Sequence, residues 1–492
     1  MSRTPDFDVV IVGGGIAGLM TARTLLKKHP ELKVTVLEGK DRVGGRTLTV
    51  DIPAPGGKTD RFDLGGQWVG RSQFETLGLV EELGLELYDQ YNDGKTLAVL
   101  GNREIRPFED EDYSMLERID FKLGVFKMDR LTNQIDVTDP LKWKGAAWAD
   151  QQSVASYADS ASLCGAWKDG LKTAVRSNFG TDPKRVSLLF NMVFCKSAEG
   201  FMNLVEVTGN GGQAFRIKGG AQQLSELMAA ELGERVRLST EVQAIDTDED
   251  STTVTLRSGQ TLTARRCVLA IPPNQCNRIA FSPPLGYLKK KLFQNSIPGH
   301  YIKFIATFQS PFWREDGNNG VIISTGKTNK RGELRPIVAT YDGTTPFGTA
   351  AIVGFFHVEY HDLTMEERRE AALKDLVRFF GPRAESEFVG YAEKNWAEEP
   401  LNGGCPVDYM TPGHMDAFVT IRDMHHGVHF AGTETALSWM GYMNGAIESG
   451  KRAAMEVLVA FGRTEKIEGK YLVNADSSSR SSHSGDGIRA HL

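Results

Sequence analysis

DFDVVIVGGGIAG, residues 6–18, is the stretch that decides the fold. Val9, Val10, Ile11 and Val12 form a continuous β-branched run, the pattern of a strand buried on both faces. Gly13, Gly15 and Gly18 follow at once in G-x-G-x-x-G spacing, and Ile16, Leu19 and Met20 open a helix-spaced apolar pattern that continues to Leu26. The three glycines serve a tight turn, close backbone approach to a pyrophosphate, and close helix–strand packing. The phosphates would rest on the free N–H groups and positive dipole end of the helix. A second strand, Val34–Leu37, ends on Glu38, twenty residues past Gly18, where a carboxylate takes a pair of ribose hydroxyls. A glycine fingerprint alone is a weak signal. Strand, glycines, helix, strand and acid in register predict a dinucleotide-binding unit of an α/β, Rossmann-type fold.

The rest of the chain narrows the class. At 492 residues it has room for two or three domain-sized units. Its formal charge of −6, with no basic stripe, argues against nucleic acid as a partner. Five scattered cysteines without C-x-x-C spacing give neither a disulfide framework nor a zinc site, and favour a reducing compartment. His425, His426 and His429 lack a carboxylate-backed zinc pattern and read as loop and strand-edge residues, so no metal is expected. No apolar run reaches eighteen residues and no secretory signal precedes the first strand, so no membrane span is expected.

Motifs rich in glycine pairs recur in three blocks. Residues 41–47, DRVGGRT, offer a flexible turn and two guanidinium forks, Arg42 and Arg46, suited to phosphate, with Gly45 allowing close approach. FDLGGQWVG, residues 62–70, brings Gly66, Gln67 and Trp68, and helical spacing resumes over Leu77–Leu87. GNGGQAFRIKGGAQQL begins at Gly209, and short strands follow at Val236–Leu238, Val242–Ile245, Thr252–Leu256 and Cys267–Ile271. These alternate with two regions of different character. Residues 88–208 read as mainly helical and amphipathic, with Phe121, Phe126, Phe190, Met192 and Phe194 as core. Residues 285–390 carry the strand Tyr301–Phe308, alternating strands at Ile337–Tyr341 and Ala351–His357, and the helix Met365–Phe380. The expected division is a discontinuous nucleotide-binding domain (1–87, 209–284 and 391–462), a second α+β domain (88–208 and 285–390) and a disordered polar tail, 463–492.

At KNWAEEPLNGGCPVDYMTPG and GVHFAGTETALSWMGYMNGAIESGKRAA the chain resembles the flavin-dependent amine oxidases, specifically their monoamine oxidase branch. The N-terminal fingerprint, DRVGGRT, FDLGGQWVG, NGGQAFRIKGG, AIPP and IKFIATFQSPFWR extend the likeness in family order up to the tail. The resemblance implies FAD, an FAD-binding domain interleaved with a substrate-binding domain, and oxidation of a primary amine to the imine, then aldehyde or ketone plus ammonia, with O2 reduced to H2O2. It assigns the cofactor to Gly13, Gly15, Gly18, Glu38, Arg42, Gly45, Arg46, Gly66, Gln67, Trp68, Val236, Trp396, Gly432, Thr433, Glu434 and Met443. In covalent members the cysteine of Gly-Gly-Cys forms a thioether to the flavin 8α-methyl. Position for position that is Cys405, although other members bind FAD without a bond.

Lys303 matches the lysine that reaches flavin N5 through a water, and a lysine in an apolar strand is costly to bury without a partner. The helix that starts near Gly441 would aim its positive end at the pyrimidine edge, with the Met443 N–H as a donor. Trp396 is placed either beside the flavin or in the core. In the family two aromatic rings flank the amine; Tyr442 matches one, and Pro406 stands where the other ring belongs. Trp439 or Tyr409 could fill that space, and a wider pocket follows if neither does. Gln213 resembles a pocket-lining glutamine. Glu206 lies where relatives carry an apolar gate, and reads as an entrance carboxylate or a solvated surface residue.

Membrane-bound relatives carry a C-terminal transmembrane helix, whereas this tail is serine-rich and ends in Ala490-His491-Leu492. That tripeptide follows the small–basic–leucine logic of a peroxisomal address, departing from S-K-L at two positions, with the cytosol as the alternative. The resemblance leaves oligomeric state open, a homodimer being common among members. Rival readings are a polyamine or amino-acid oxidase and a catalytically silent flavin-binding scaffold.

Overall fold

The computed structural model describes residues 5–99, 105–107, 113–205, 211–248, 251–324 and 335–464. Glu206, most of the tail and the terminal tripeptide lie outside the described residues.

The opening motif folds as its pattern predicts. Strand β1 (Phe7–Val12) is buried from Val9 onward, helix α1 (Ile16–Lys28) begins just past the glycine turn, and β2 (Val34–Leu37) is buried at all four positions. Val10 of β1 registers with Thr35 on one side and with Cys267 of β3 (Thr261–Leu269) on the other, both parallel. The sheet has eight strands. From its outer edge run Val236–Arg237, β2, β1 and β3, then Thr252–Leu256, Val242–Thr247 and Ala280–Ser282, and Val428–Phe430 also pairs with β3. C-terminal residues therefore close a sheet that the N-terminus opened.

Helix α2 (Met443–Ala460) packs on α1. A Cβ added to Gly450 would stand 2.4 Å from the Ala17 carbonyl oxygen, so the two helices touch backbone to backbone. Such contact brings the start of α2 beside the glycine turn at the start of α1.

A second sheet of seven strands is ordered Phe388–Asn395, β4 (Ile302–Phe308), β5 (Ala350–Phe356), Ile337–Asp342, Asn318–Ser324, Lys95–Val99 and Arg106–Pro107. β4 is buried at every position and paired on both sides, so it is an interior strand. The helices between Met115 and Val205 lie between its N-terminal strands and the rest.

Some local expectations are corrected. The helix over Leu77–Leu87 runs instead from Phe74 to Glu82, because Gly84 takes a left-handed φ of +66° and Leu87–Asp89 pairs as a strand with Phe215–Ile217. Ile337–Asp342 and β5 do not alternate: covered on both faces, they are buried almost throughout. Helix Leu188–Ser197 is buried nearly all round rather than on one stripe, and Phe126 is exposed rather than core. The border expected at 390/391 falls inside the strand Phe388–Asn395, which belongs to the second sheet. His429 is neither loop nor edge-exposed: it is buried, with Nδ1 3.2 Å from Glu456 Oε2.

Candidate active site

A single long cavity runs from the glycine turn of β1–α1, past the start of α2, to the buried face of β4 and β5. Its glycines divide into two kinds. A Cβ on Gly18 would meet the Gly13 carbonyl oxygen at 2.0 Å, and one on Gly13 would meet the Ala270 carbonyl oxygen at 2.5 Å. Those two are glycine because the protein's own backbone needs the space. Gly15 and Gly66 are different. A Cβ on Gly15 would find only Gly45 Cα at 3.9 Å, and one on Gly66 only Thr47 and Met443 side chains at 3.9 and 4.0 Å. Both line the cavity, and a methyl group there would project into space the protein leaves open. That is the cradle a dinucleotide backbone contact requires.

Glu38 lines the same end. Its Oε2 accepts from the Gly14 N–H at 2.6 Å and its Oε1 from the Lys40 N–H at 2.9 Å. Both oxygens are pinned by main chain and keep lone pairs for ribose hydroxyls. Val236, expected at the cofactor, is not part of the cavity lining; its short strand pairs with β2 at the sheet edge. Thr240, Glu241 and Val242 line the wall instead, four to six residues further on.

Both arginine forks make hydrogen bonds within the protein. Arg42 donates to the carbonyls of Val43, Gly45 and Thr47, holding its own loop closed. Arg46 lines the cavity but donates to both Glu434 oxygens, at 2.5 and 3.0 Å, and to the Pro406 carbonyl at 3.0 Å. Glu434 lies behind the cavity wall, holding Arg46 charged, whereas its neighbours Gly432 and Thr433 line the cavity. Asp408 completes this buried group; burial and the Glu434 charge raise its carboxyl well above the usual range.

At the far end Lys303 rises from β4. Its Nζ donates to the Gly65 carbonyl at 2.8 Å and to Gln67 Oε1 at 2.6 Å, above Trp68 at 5.4 Å from the ring centroid. Burial lowers its pKa to about 7, with Asp63 pulling the other way. An ammonium has three donors, so one remains free when Lys303 is charged, and a lone pair when it is neutral. Gln67 Nε2 and Gln213 Oε1 are buried without a hydrogen-bond partner, and both residues line the cavity. Such orphaned polar atoms fit a polar ligand.

Cys405, Pro406, Tyr442 and Trp396 meet here as well. Burial pushes the Cys405 thiol up to about 11, against the pull of Arg46 and Lys303. Trp396 belongs to cavity and core at once, being 1% exposed with its indole N–H on the Leu64 carbonyl at 2.9 Å. Tyr442 caps α2, and Met443, the first residue of that helix, lines the cavity, so the positive helix end faces it. The aromatic compensation expected from Trp439 or Tyr409 is not found. Both are fully buried outside the cavity lining, Tyr409 with its hydroxyl 2.9 Å from Thr181 Oγ1 and Trp439 edge-on to Tyr442 at 5.0 Å.

The sequence profile of the family described as flavin containing amine oxidoreductase matches residues 16–458. The chain belongs to that family. The flavin-containing amine oxidase of Oncorhynchus mykiss is 34% identical over 479 residues, covering 94% of this chain and 88% of the relative. Amine oxidase B of Homo sapiens is 34% identical over 474 residues, with the same coverage. Among solved structures, cyclohexylamine oxidase from Brevibacterium oxydans superposes with a TM-score of 0.85 at 30% identity, covering 93% of this chain and 100% of that one. Putrescine oxidase bound to putrescine gives 0.84 at 28% identity, covering 92% and 99%.

This amine oxidase therefore uses FAD and acts on amines. The residues present fit that cofactor: an open glycine cradle, a pinned carboxylate and a cavity with orphaned amide atoms. Sequence reasoning missed the cavity rings of Tyr301, Phe355 and Phe194, since an aromatic in a strand or helix signals core equally well. Among the described residues no group of three His, Cys, Asp or Glu is placed to hold a metal ion, and no helix is long and apolar enough to cross a membrane.

Proposed function

We propose that this amine oxidase converts a primary amine to its imine while dioxygen becomes hydrogen peroxide, the imine then yielding aldehyde or ketone and ammonia with water. One observation carries the reading: Lys303, Cys405 and Tyr442, from three distant segments, line one cavity with the open glycines Gly15 and Gly66. Bound FAD supplies the redox chemistry, taking a hydride equivalent from the amine's α-carbon and returning two electrons to dioxygen. The protein's part is to orient and to exclude water. Tyr442 guides the amine from one side. Lys303, able to gain or lose a proton near neutrality, holds a water through its remaining donor or lone pair. The start of α2 favours negative charge on the ring it faces. Cys405 tethers the cofactor through a thioether at the 8α-methyl, and Pro406 leaves the pocket wider than small arylalkyl amines need unless another ring takes that side.

The test is a peroxide-coupled screen of amines graded by chain length and ring substituents, run beside an assay of FAD content. Protein that holds FAD yet releases no peroxide with any amine would leave only a flavin-binding scaffold. Protein that takes up no FAD would overturn the whole reading. Likeness to putrescine oxidase favours a diamine as second reading. Glu206 would then attract the distal cation, and Glu206→Ile would lower apparent affinity for diamines and hydroxylated amines alone.

Peroxide production also gives chemical sense to peroxisomal import through Ala490-His491-Leu492. A fluorescent reporter carrying residues 463–492 should enter peroxisomes and lose that address when Leu492 is deleted; diffuse signal supports the cytoplasm. A homodimer is the expected assembly, read by light scattering.

A further inference from the structure

Resting on the oxidase reading, the question left by Pro406 is which ring, if any, faces Tyr442 across the amine. Tyr301 lines the cavity together with Cys405, Pro406 and Tyr442. Its position beside the 405–407 turn is set by main chain. Ser296–Pro298 pairs with Asp408–Met410; beyond it the Gly299 N–H donates to the Val407 carbonyl at 3.2 Å, and the Cys405 N–H to the Gly299 carbonyl at 2.9 Å. Gly299 is glycine because backbone crowds it on two sides: a Cβ would stand 2.1 Å from the Phe179 carbonyl oxygen, 2.8 Å from the Cys405 carbonyl oxygen and 2.9 Å from Pro406 Cδ. Two residues on, the Tyr301 carbonyl accepts from the Trp396 N–H at 3.0 Å, extending the pairing of β4 with its neighbour.

The ring is held rigidly. Its single hydroxyl hydrogen is shared between the carbonyls of Arg176, at 2.7 Å, and Ser177 in the last turn of the helix Ala166–Phe179, the Arg176 carbonyl also accepting from the Gly180 N–H at 2.9 Å. Phe355 supports it from the side, with centroids 5.1 Å apart and planes at 45°. With its polar tip engaged at the helix end, Tyr301 offers the cavity an apolar ring.

We propose that Tyr301 supplies the second aromatic wall of the amine site in place of residue 406, and thereby selects primary amines whose substituent is an aryl or cycloalkyl ring. The ring is pre-positioned by two carbonyls, so little order is lost when a flat substituent packs on it.

Cumylamine and tert-butylamine test this, because neither has a hydrogen on the amine-bearing carbon and both bind without being oxidised. Their dissociation constants are read from the absorbance change of the FAD-loaded protein, independently of turnover. The wild type should prefer cumylamine. Tyr301→Leu should reduce that preference roughly tenfold, the scale of a changed apolar contact, and Tyr301→Phe should keep it within threefold. An unchanged preference in FAD-loaded Tyr301→Leu, or its loss in Tyr301→Phe, overturns the proposal. Should Tyr301→Leu fail to fold, Pro406→Phe decides: weaker cumylamine binding shows that the space is already filled, and tighter binding shows that it was vacant. Absence of peroxide from every amine would instead strike at the oxidase reading, leaving these binding ratios to be judged alone.

Discussion

Arg46 and Glu434 stand 388 positions apart and meet through two hydrogen bonds, Nη1 to Oε1 at 2.5 Å and Nη2 to Oε2 at 3.0 Å. Glu434 Oε1 also accepts from the Asp408 N–H at 3.2 Å, and Arg46 donates to the Pro406 carbonyl. Three segments that build the cavity are thus tied at one buried point. Replacing the guanidinium would strand the Glu434 carboxylate, beside the buried Asp408 carboxyl, away from water.

Arg46→Met should therefore destabilise the fold by about 3–5 kcal/mol, the cost of breaking a buried pair from one side. Urea unfolding measures it.

Lys303 gives a pH signature. Its folded pKa, about 7, lies below the ordinary lysine value of 10.5, so the folded state binds fewer protons than the unfolded state between those limits. Stability from this group rises with pH across that window and is least below about 7. Lys303→Met should remove that slope from the variant's own stability curve, so the wild-type advantage over the variant should rise with pH across the window. It should also slow reoxidation by oxygen in stopped-flow traces, and abolish any step in that rate near pH 7.

The two classes of glycine predict a clean division. Gly15→Ala should leave the stability of FAD-free protein within about 1 kcal/mol, since surface-like changes without strain cost little. It should weaken FAD uptake at least tenfold by titration. Gly18→Ala places a Cβ 2.0 Å from a carbonyl oxygen and should cost about 1–3 kcal/mol or more before any cofactor is added.

Cys405→Ala tests the tether. Wild-type protein denatured in detergent should keep its yellow flavin on the polypeptide through gel filtration, whereas the variant should release it. Release from the wild type as well would show that FAD is held without a bond.

How much of this was legible in the chain follows from the range of the interactions. The β1–α1 turn, Glu38 and the run of β2 were readable because strand, glycine and helix signals act over a few neighbouring residues. Both Val236 and Val242 are valines in short paired strands, and only their places in the folded sheet show that Val242 lines the cavity and Val236 does not. The stretch after Leu77 kept a helical rhythm to Leu87, yet Gly84 turns the chain and Phe215–Ile217 captures its end as a strand.

The residue sequence by itself determined the nucleotide-binding turn and the family, both of which are matters of local pattern and order. Tertiary structure alone decided that the Arg46 fork serves Glu434, that Trp439 and Tyr409 stay out of the cavity, and that Tyr301 enters it. Those outcomes depend on which buried groups from distant segments satisfy one another, and no local rhythm encodes that choice.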